Sequence, residues 1–437
     1  MISPETFARY AAMRVPRYTS YPTAPQFSPH IESAQYRDWL RILPIQVPIS
    51  IYLHVPFCRE MCWYCGCHTS VTHRSAPIDR YVSALRTEIE RVAAMLPGTL
   101  DVGHVHFGGG SPTLLKADCI EAISAQLRGT FRLRDDAETA IEIDPRSLTK
   151  SMAEALARAR INRASLGVQT FDPKVQRAIN RFQSFSVVAD AVDLLRSSGI
   201  QRINFDLLYG LPFQTVNSCL ETLRQALKLR PDRLAIFGYA HVPSFKPHQR
   251  KIDERTLPDT SQRQEQFSAM ADALAREAYV QVGLDHFARR TDSLAEAAAN
   301  GTLHRNFQGY TIDGCQTLLG FGASAIGRMP NGYVQNATKI PDYERRIFDG
   351  ELGVVRGTKL SQDDRCRGSI IEQLMCQYRA DAASVDVPLD SLEEDGLITR
   401  QGSIVYVTNE ARPLVRVVAA AFDAYLPKSE ATHAVAI

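Results

Sequence analysis

The 437-residue sequence has almost no excess of charge of either sign. Lysine and arginine together number 50 and aspartate and glutamate 48, which gives a formal net charge of +2. A protein that binds nucleic acid through its phosphates usually carries a basic patch or stripe. The composition therefore argues against a nucleic-acid partner. The hydrophobic fraction of 45% and the charged fraction of 22% are typical of a globular protein with a substantial buried core.

A long uncharged apolar run is also missing. No segment reaches the roughly 20 apolar residues that a membrane-spanning helix needs. The first fourteen residues include Glu5, Arg9 and Arg14 and lack the apolar centre of a secretory signal. We therefore expect a cytoplasmic protein without a membrane partner.

The cysteines lack the pattern of a disulfide framework. Nine is an odd number, and five of the nine stand alone in the chain: Cys119, Cys219, Cys315, Cys366 and Cys376. Disulfide-rich proteins carry even numbers of cysteines at regular spacings, and they belong to oxidising compartments. The usage here is typical of a reduced, cytosolic protein.

The other four cysteines lie in one short segment, Cys58-Arg-Glu-Met-Cys62-Trp-Tyr-Cys65-Gly-Cys67. Thiolates that converge from one loop can hold an iron–sulfur cluster. If Cys58, Cys62 and Cys65 are the ligands, one iron of a four-iron cluster stays open, as in a catalytic metal site. The alternative is a structural zinc site in which Cys67 or His68 supplies the fourth ligand.

Apolar runs alternate with amphipathic helical patterns from residue 48 to about 245. The predicted strands are Ser50–Val55, His104–Gly108, Ala140–Ile143, Arg163–Val168, Ile203–Tyr209 and Arg233–Tyr239. Such alternation predicts a parallel sheet of βα units, and six units do not complete an eight-stranded barrel. We therefore expect an α/β fold, a partial (β/α)6 barrel with its ligand site at the carboxyl ends of the strands.

Polar or glycine-rich residues stand at these strand ends. The second strand leads into Gly108-Gly109-Gly110-Ser111, where glycines let a backbone approach a ligand closely. Glu142 and Asp206 lie in otherwise apolar strands, so each needs a partner. For Glu142 the alternatives are a ligand or a salt bridge to Arg146 or another basic residue, and for Asp206 they are Arg181 or a ligand hydroxyl.

The cysteine spacing, with aromatic Tyr64 before the last ligand, resembles the radical S-adenosylmethionine (SAM) superfamily. Two further features narrow the resemblance: the extra Cys67, and the upstream stretch Pro16-Arg-Tyr-Thr-Ser-Tyr-Pro-Thr23. Together they resemble the oxygen-independent coproporphyrinogen III oxidases over most of the chain. Ser111 replaces the threonine that is common in the family and keeps its hydroxyl.

The resemblance implies which residues bind the cofactors. Cys58, Cys62 and Cys65 would hold a [4Fe–4S] cluster, with Cys67 outside it. Two SAM molecules would share the remaining positions, which are Tyr52, Tyr64, Gly109, Gly110, Ser111, Glu142, Gln169, Arg181, Asp206, Ala240 and Ile326. No catalytic acid or base beyond the cluster and the SAM site is implied.

The resemblance also implies an activity. A 5′-deoxyadenosyl radical made from SAM would start the anaerobic oxidative decarboxylation of two propionates of coproporphyrinogen III to vinyl groups, giving protoporphyrinogen IX in haem biosynthesis. The partners would be that substrate and a reducing donor such as flavodoxin or ferredoxin, and the chain would be a monomer. The alternative is a haem-binding chaperone or another haem-handling radical SAM relative.

Three segments are expected: an N-terminal arm (1–47), the catalytic domain with its extension (48–345) and a smaller, mainly helical, winged-helix-like domain (346–437). In the last segment we expect a helix over Glu410–Tyr425 and a hairpin over 396–407. Substrate carboxylates need cationic partners. The candidates are Arg17, Arg250, Lys251 and Arg305.

Overall fold

A computed structural model describes residues 2–31, 33–426 and 433–436 of the chain. The described residues contain nineteen strands: β1 Ile49–Val55, β2 Phe57–Cys58, β3 Ser70–Val71, β4 Asp101–Gly109, β5 Arg132–Ile143, β6 Arg163–Gln169, β7 Arg202–Tyr209, β8 Arg233–Gly238, β9 Tyr279–Val282, β10 His286–Arg289, β11 His304–Asn306, β12 Gly309–Thr311, β13 Thr317–Phe321, β14 Ile326–Met329, β15 Gly332–Asn336, β16 Val354–Lys359, β17 Arg379–Asp381, β18 Ile398–Gln401 and β19 Ile404–Val407.

The same residues contain fourteen α-helices: α1 Pro4–Ala11, α2 Ser33–Arg41, α3 Ser75–Ala93, α4 Ala117–Thr130, α5 Lys150–Arg158, α6 Pro173–Ala178, α7 Phe185–Ser197, α8 Val216–Lys228, α9 Thr260–Arg276, α10 Ser293–Asn300, α11 Ile340–Phe348, α12 Gln362–Gln377, α13 Asp390–Glu394 and α14 Val415–Ala420. Short 3-10 turns lie at Ala24–Gln26, Pro112–Leu114, Pro145–Ser147, Pro247–Lys251, Glu254–Thr256 and Arg412–Leu414. None of the described helices combines the length and apolar character that a membrane crossing needs.

Twelve of the described strands form one sheet, in the order β16-β15-β14-β13-β1-β4-β5-β6-β7-β8-β10-β9. The strands from β13 to β8 in this order run parallel, and antiparallel strands extend both edges. The six predicted strands correspond to β1, β4, β5, β6, β7 and β8, which lie side by side. The prediction of a partial parallel α/β barrel is therefore confirmed.

Strand β1 shows why one face of the sheet is polar. Ile49, Ile51, Leu53 and Val55 are at most 2% exposed and belong to the main hydrophobic core. Since successive side chains of a strand point to opposite faces, the residues between them must share the other face. Serine, tyrosine and histidine occupy those positions in β1, as asparagine and aspartate do in β7. The face of the sheet opposite the main hydrophobic core is therefore polar, and it carries residues of the candidate site.

A buried carboxylate, Glu88 of α3, ties the helix layer to the far edge of the sheet. It accepts hydrogen bonds from the Gly322 backbone N–H, the Asn336 amide and the Tyr343 hydroxyl, each 2.7 Å long. Burial raises the pKa of Glu88 to about 7, although these three donors favour the ionised form. The site is a structural crosslink between elements that are distant in sequence.

The N-terminal arm packs on the C-terminal segment. Tyr10, Val15, Tyr18 and Tyr21 share a hydrophobic cluster with α12, α14 and the small antiparallel sheet β17-β19-β18. The proposed domain boundary at residue 345 stays a prediction, and the last strand of the large sheet, β16, lies beyond it.

The helix predicted over Glu410–Tyr425 is wrong in its extent. The structure has a 3-10 turn at Arg412–Leu414 and only a short α14. Pro413 has no backbone N–H to donate, so a regular helix does not run through it. After α14, the Asp423 carboxylate accepts from the Tyr425 and Leu426 N–H groups and ends the segment in a turn.

Candidate functional site

A cavity of about 180 Å³ lies at the carboxyl ends of strands β4 to β7, beside the cysteine loop. We call it the cysteine cavity. Eleven of the fourteen residues predicted to bind cofactors line it: Cys58, Cys62, Cys65, Tyr64, Gly109, Gly110, Ser111, Glu142, Gln169, Arg181 and Asp206. Thr69, Asp144, Arg146, Ser165 and Gly167 also line it and were not predicted.

Each of the three predicted cluster ligands receives its own hydrogen-bond donor. The Thr69 hydroxyl donates to Cys58 Sγ at 3.1 Å, and the Cys67 backbone N–H donates to Cys65 Sγ at 3.4 Å. The Arg181 guanidinium donates to Cys62 Sγ at 3.5 Å. Donors aimed at sulfur stabilise the thiolate form that a metal site requires.

The two neighbouring thiols of the loop differ in acidity. Hydrogen bonds from the side chain and backbone of Cys67 lower the pKa of Cys65 to about 6, and nearby His248 and Lys246 act in the same direction. The same hydrogen bond raises the pKa of the Cys67 thiol well above its usual range. The hydrogen bond between the two thiols thus favours the thiolate form of Cys65, and the position of Cys67 outside the cluster stays a prediction.

The glycine segment after β4 is closely packed against the cysteine loop. A Cβ atom at Gly110 would lie 2.6 Å from both the Phe57 carbonyl oxygen and the Thr69 hydroxyl. At Gly109, where φ is +117°, a Cβ would lie 2.8 Å from the ring of His54. Only glycine fits at both positions. The bare backbone therefore forms one wall of the cavity.

Glu142 is held by its neighbours on β4 and not by Arg146. Its carboxylate contacts His106 Nε2 at 3.1 Å and accepts the Gly109 N–H at 3.1 Å. Burial alone would raise its pKa, but the hydrogen bonds from His106 and Gly109 bring the pKa of Glu142 below its usual value. Of the basic partners that the sequence allowed, the structure has His106 and not Arg146, which pairs with Asp144 at 2.6 Å.

Asp206 has neutral partners only. The Ser165 hydroxyl and the Asn204 amide donate to it at 3.0 and 2.9 Å. Burial, and then the negative charge of Glu142, raise the pKa of Asp206 to about 6. Arg181, one of its two predicted partners, binds Asp144 at 3.4 Å and the Gly167 carbonyl at 2.6 Å. Asp206 therefore keeps acceptor capacity for a ligand hydroxyl.

Three predicted cofactor-binding residues lie outside the cysteine cavity. Tyr52 is on β1, where its hydroxyl contacts His54 Nδ1 at 3.0 Å and its ring stacks on His106. Ala240 lines a neighbouring cavity after β8. Ile326 is on β14, two strands away from β1.

Two histidines that follow the parallel strands, His286 and His304, have carboxylate partners. His286 contacts the Asp285 carboxylate at 2.8 Å, and His304 contacts Glu372 at 3.0 Å. Neither lines the cysteine cavity.

The residues of the cavity fit a cluster and a polar cofactor. Three thiols with donors lie beside polar atoms that are buried and have no partner among the described residues, namely Ser111 Oγ and Arg181 Nε. No three His, Cys, Asp or Glu side chains in the described part of the chain are placed to hold one metal ion. Thiols that converge from one loop fit an iron–sulfur cluster, and the unpartnered polar atoms beside them fit a polar cofactor.

Comparisons with known proteins agree with this site. Residues 52–226 match the model of the radical SAM superfamily. The parallel sheet and the cysteine cavity thus define a radical SAM protein.

Similarity to individual proteins extends over nearly the whole chain. An oxygen-independent coproporphyrinogen III oxidase of Bradyrhizobium diazoefficiens is 51% identical over 98% of both chains, and one of Paracoccus denitrificans is 41% identical over 94% of both. The solved coproporphyrinogen III oxidase of Escherichia coli, described as a radical SAM enzyme, superposes with a TM-score of 0.89. It is 35% identical, and the match covers 95% of this chain and 100% of that one. The chain belongs to the oxygen-independent coproporphyrinogen III oxidase family.

Proposed function

We propose that this chain carries out the anaerobic oxidative decarboxylation of two propionates of coproporphyrinogen III, giving the vinyl groups of protoporphyrinogen IX in haem biosynthesis. The observation that carries the proposal is the cysteine cavity, which joins the thiols of Cys58, Cys62 and Cys65, a bare glycine wall and the carboxylates of Glu142 and Asp206 at one edge of the sheet. Membership of the oxidase family supports the substrate and the reaction.

Cys58, Cys62 and Cys65 are the residues that would hold a [4Fe–4S] cluster. When bound, the cluster and SAM supply the 5′-deoxyadenosyl radical that removes hydrogen from a substrate propionate. Thr69, Arg181 and the Cys67 N–H hold the three sulfurs in place and stabilise their negative charge. Hydrogen bonds to sulfur are one means by which a protein adjusts the reduction potential of such a cluster.

The polar residues of the cavity suit the functional groups of SAM. Carbonyl groups of the segment Gly108–Gly110 suit its ammonium group, and the Ser111 hydroxyl has no partner among the described residues. Glu142 and Asp206 suit the ribose hydroxyls, and Tyr64 supplies an aromatic face for adenine. We also propose a second SAM molecule beside the first; of its predicted contacts, Ala240 lies at the end of β8 and Ile326 lies on β14.

The electron source and the cellular setting are part of the proposal. We expect a low-potential donor such as flavodoxin or ferredoxin, and a monomeric enzyme. All nine cysteines are free, which is typical of proteins in a reducing cytoplasm.

The test compares two cysteine variants after anaerobic reconstitution. Cys62→Ala is expected to lose bound iron and vinyl product together, because a buried ligand is removed. Cys366→Ala, a half-buried cysteine on α12, is the matched control and should keep both. Vinyl product formed by Cys62→Ala would disprove the proposed site.

A further inference from the structure

A second cavity, of about 210 Å³, lies beside the end of β8 and carries an unusual concentration of positive charge. Five arginines line it, from the arm, α9, β11 and α14: Arg14, Arg17, Arg263, Arg305 and Arg416. We call it the arginine pocket. Aromatic residues Tyr209, Phe237 and Tyr239 line the same space. A mixed aromatic and cationic lining suits a flat ring that carries anionic groups.

The described residues balance the charge of the arginine pocket only in part, through the Asp285 carboxylate, which acts on Arg305 and Arg416. Asp285 is its only acidic lining residue, and it already contacts His286 at 2.8 Å. Within the described residues, none of the five guanidinium groups has a carboxylate within the 4.0 Å of an ion pair. Clustered like charges are unfavourable unless an anion joins them.

Besides burial, the positive charges of neighbouring arginines lower the pKa values of Arg263 and Arg416. Burial first, and then Arg17, lower the pKa of Arg263. Burial, followed by Arg17 and Arg305, lowers the pKa of Arg416 to about 10. A bound anion would relieve this repulsion.

The arginines differ in what they already bind. Arg416 donates to the carbonyl groups of Val15, Pro16, Val435 and Ala436, so it holds the N-terminal arm against residues 433–436. Its role is structural.

Arg263 and Arg305 keep free donors. Arg263 donates one N–H to the Tyr239 carbonyl at 2.8 Å, and Arg305 donates two to the Arg17 carbonyl. Arg263 Nε and Arg305 Nη1 are buried and have no acceptor among the described residues. Unpaired buried donors of this kind are costly, and a carboxylate is the group that satisfies them best.

The arginine pocket adjoins the cysteine cavity. Ala240 lines the pocket, and Tyr64 lines the cavity. One side chain joins them, because the Gln249 amide donates to the Tyr64 carbonyl at 3.1 Å and to the Ala240 carbonyl at 3.2 Å. A molecule that extends from the cysteine cavity into the arginine pocket would therefore place its anionic groups next to the arginines.

We propose that the arginine pocket binds propionate carboxylates of the tetrapyrrole that are not reacting, with Arg263, Arg305 and Arg17 as the donors. This inference rests on the proposed function, and it adds the site that would recognise the substrate by its carboxylates. Arg305 and Arg17 were expected to contact carboxylates from the sequence, whereas Arg250 and Lys251 do not line the pocket. Arg263 is a new assignment.

The first test measures binding without turnover. Coproporphyrin III, the stable oxidised form with the same propionates, is titrated into the cluster-loaded protein and followed by its fluorescence. Arg263→Met is expected to weaken binding about 10- to 100-fold, the effect of one lost charge-assisted hydrogen bond. Arg263→Lys should recover part of the affinity, because it keeps the charge but not the fork geometry. Arg276→Met, an exposed arginine at the end of the same helix, is the matched control and should bind normally.

The second measurement distinguishes the two molecules whose carboxylates could occupy the arginine pocket, which are the tetrapyrrole and SAM. SAM affinity is measured on the same variants, with iron content and thermal midpoint as checks on folding. Normal SAM affinity together with weak porphyrin binding supports the inference. A weakened affinity for SAM alone would assign the pocket to the methionyl carboxylate and overturn it, as would normal porphyrin binding by Arg263→Met.

Arg17→Met, at an exposed position of the packed arm, gives a second variant if Arg263→Met does not fold. Its normal binding of porphyrin would likewise overturn the inference. Because binding is read without turnover, a wild-type protein that binds porphyrin through the arginines but forms no vinyl product would refute only the proposed function.

Discussion

Gly110→Ala tests the close packing between the glycine wall and the cysteine loop. The new Cβ would lie 2.6 Å from the Phe57 carbonyl and the Thr69 hydroxyl, whereas ordinary contact begins at 3.4 Å. The loop must therefore move by about 0.8 Å, which overpacking data put at about 1–3 kcal/mol. Phe57 precedes Cys58, and Thr69 donates to its sulfur, so the movement displaces the first cluster ligand.

We expect Gly110→Ala to hold less iron after anaerobic reconstitution and to lose about 100-fold in turnover, as a displacement near 1 Å can cause. The assay is iron per chain, together with product formed per bound cluster. Gly129→Ala is the matched control, since a Cβ there meets nothing within 4 Å and the residue lies in α4. A Gly110→Ala protein with full iron content and normal turnover would refute the packing argument.

Three further predictions concern single side chains. Cys67→Ser should keep its iron, unlike Cys62→Ala, because we expect Cys67 to lie outside the cluster; loss of iron, measured in the same reconstitution, would make it a ligand. Glu88→Ala should lose about 3 kcal/mol or more in the free energy of unfolding, because three buried donors lose their acceptor; a loss under about 1 kcal/mol in a denaturant titration would contradict this role. SAM affinity should fall as the pH drops through about 6, since Asp206 is protonated there and a neutral carboxyl accepts from a hydroxyl more weakly than a carboxylate does; Asp206→Asn should bind weakly at every pH, and an unchanged pH profile in this variant would refute the assignment.

The parallel core of the fold could be predicted because its signals are local. Each of the six strands has an apolar face that packs under helices, and that alternation is visible in a few residues. Parallel strands also bring their carboxyl ends to one edge, so residues as distant as Cys62 and Asp206 could be placed together.

The partners of the site residues could not be predicted, because they come from neighbouring strands. Glu142 pairs with His106, which is 36 positions away, and not with Arg146 nearby. Asp206 pairs with Ser165 across 41 positions. The register between neighbouring strands decides these contacts, and the local pattern within one strand does not reveal that register.

The arginine pocket could be predicted only in part for the same reason. Arg17 and Arg416 are far apart in sequence, and they meet because the arm folds over the C-terminal segment. Arg263 stands on an amphipathic helix with no local sign that distinguishes it from exposed arginines such as Arg276.

The most direct test of the account is an anaerobic product assay on the reconstituted chain with reductant, SAM and coproporphyrinogen III. The account predicts consumption of SAM and a porphyrinogen in which two propionates have become vinyl groups. Stable haem binding with no vinyl product would contradict it and would identify the chain as a haem-handling relative.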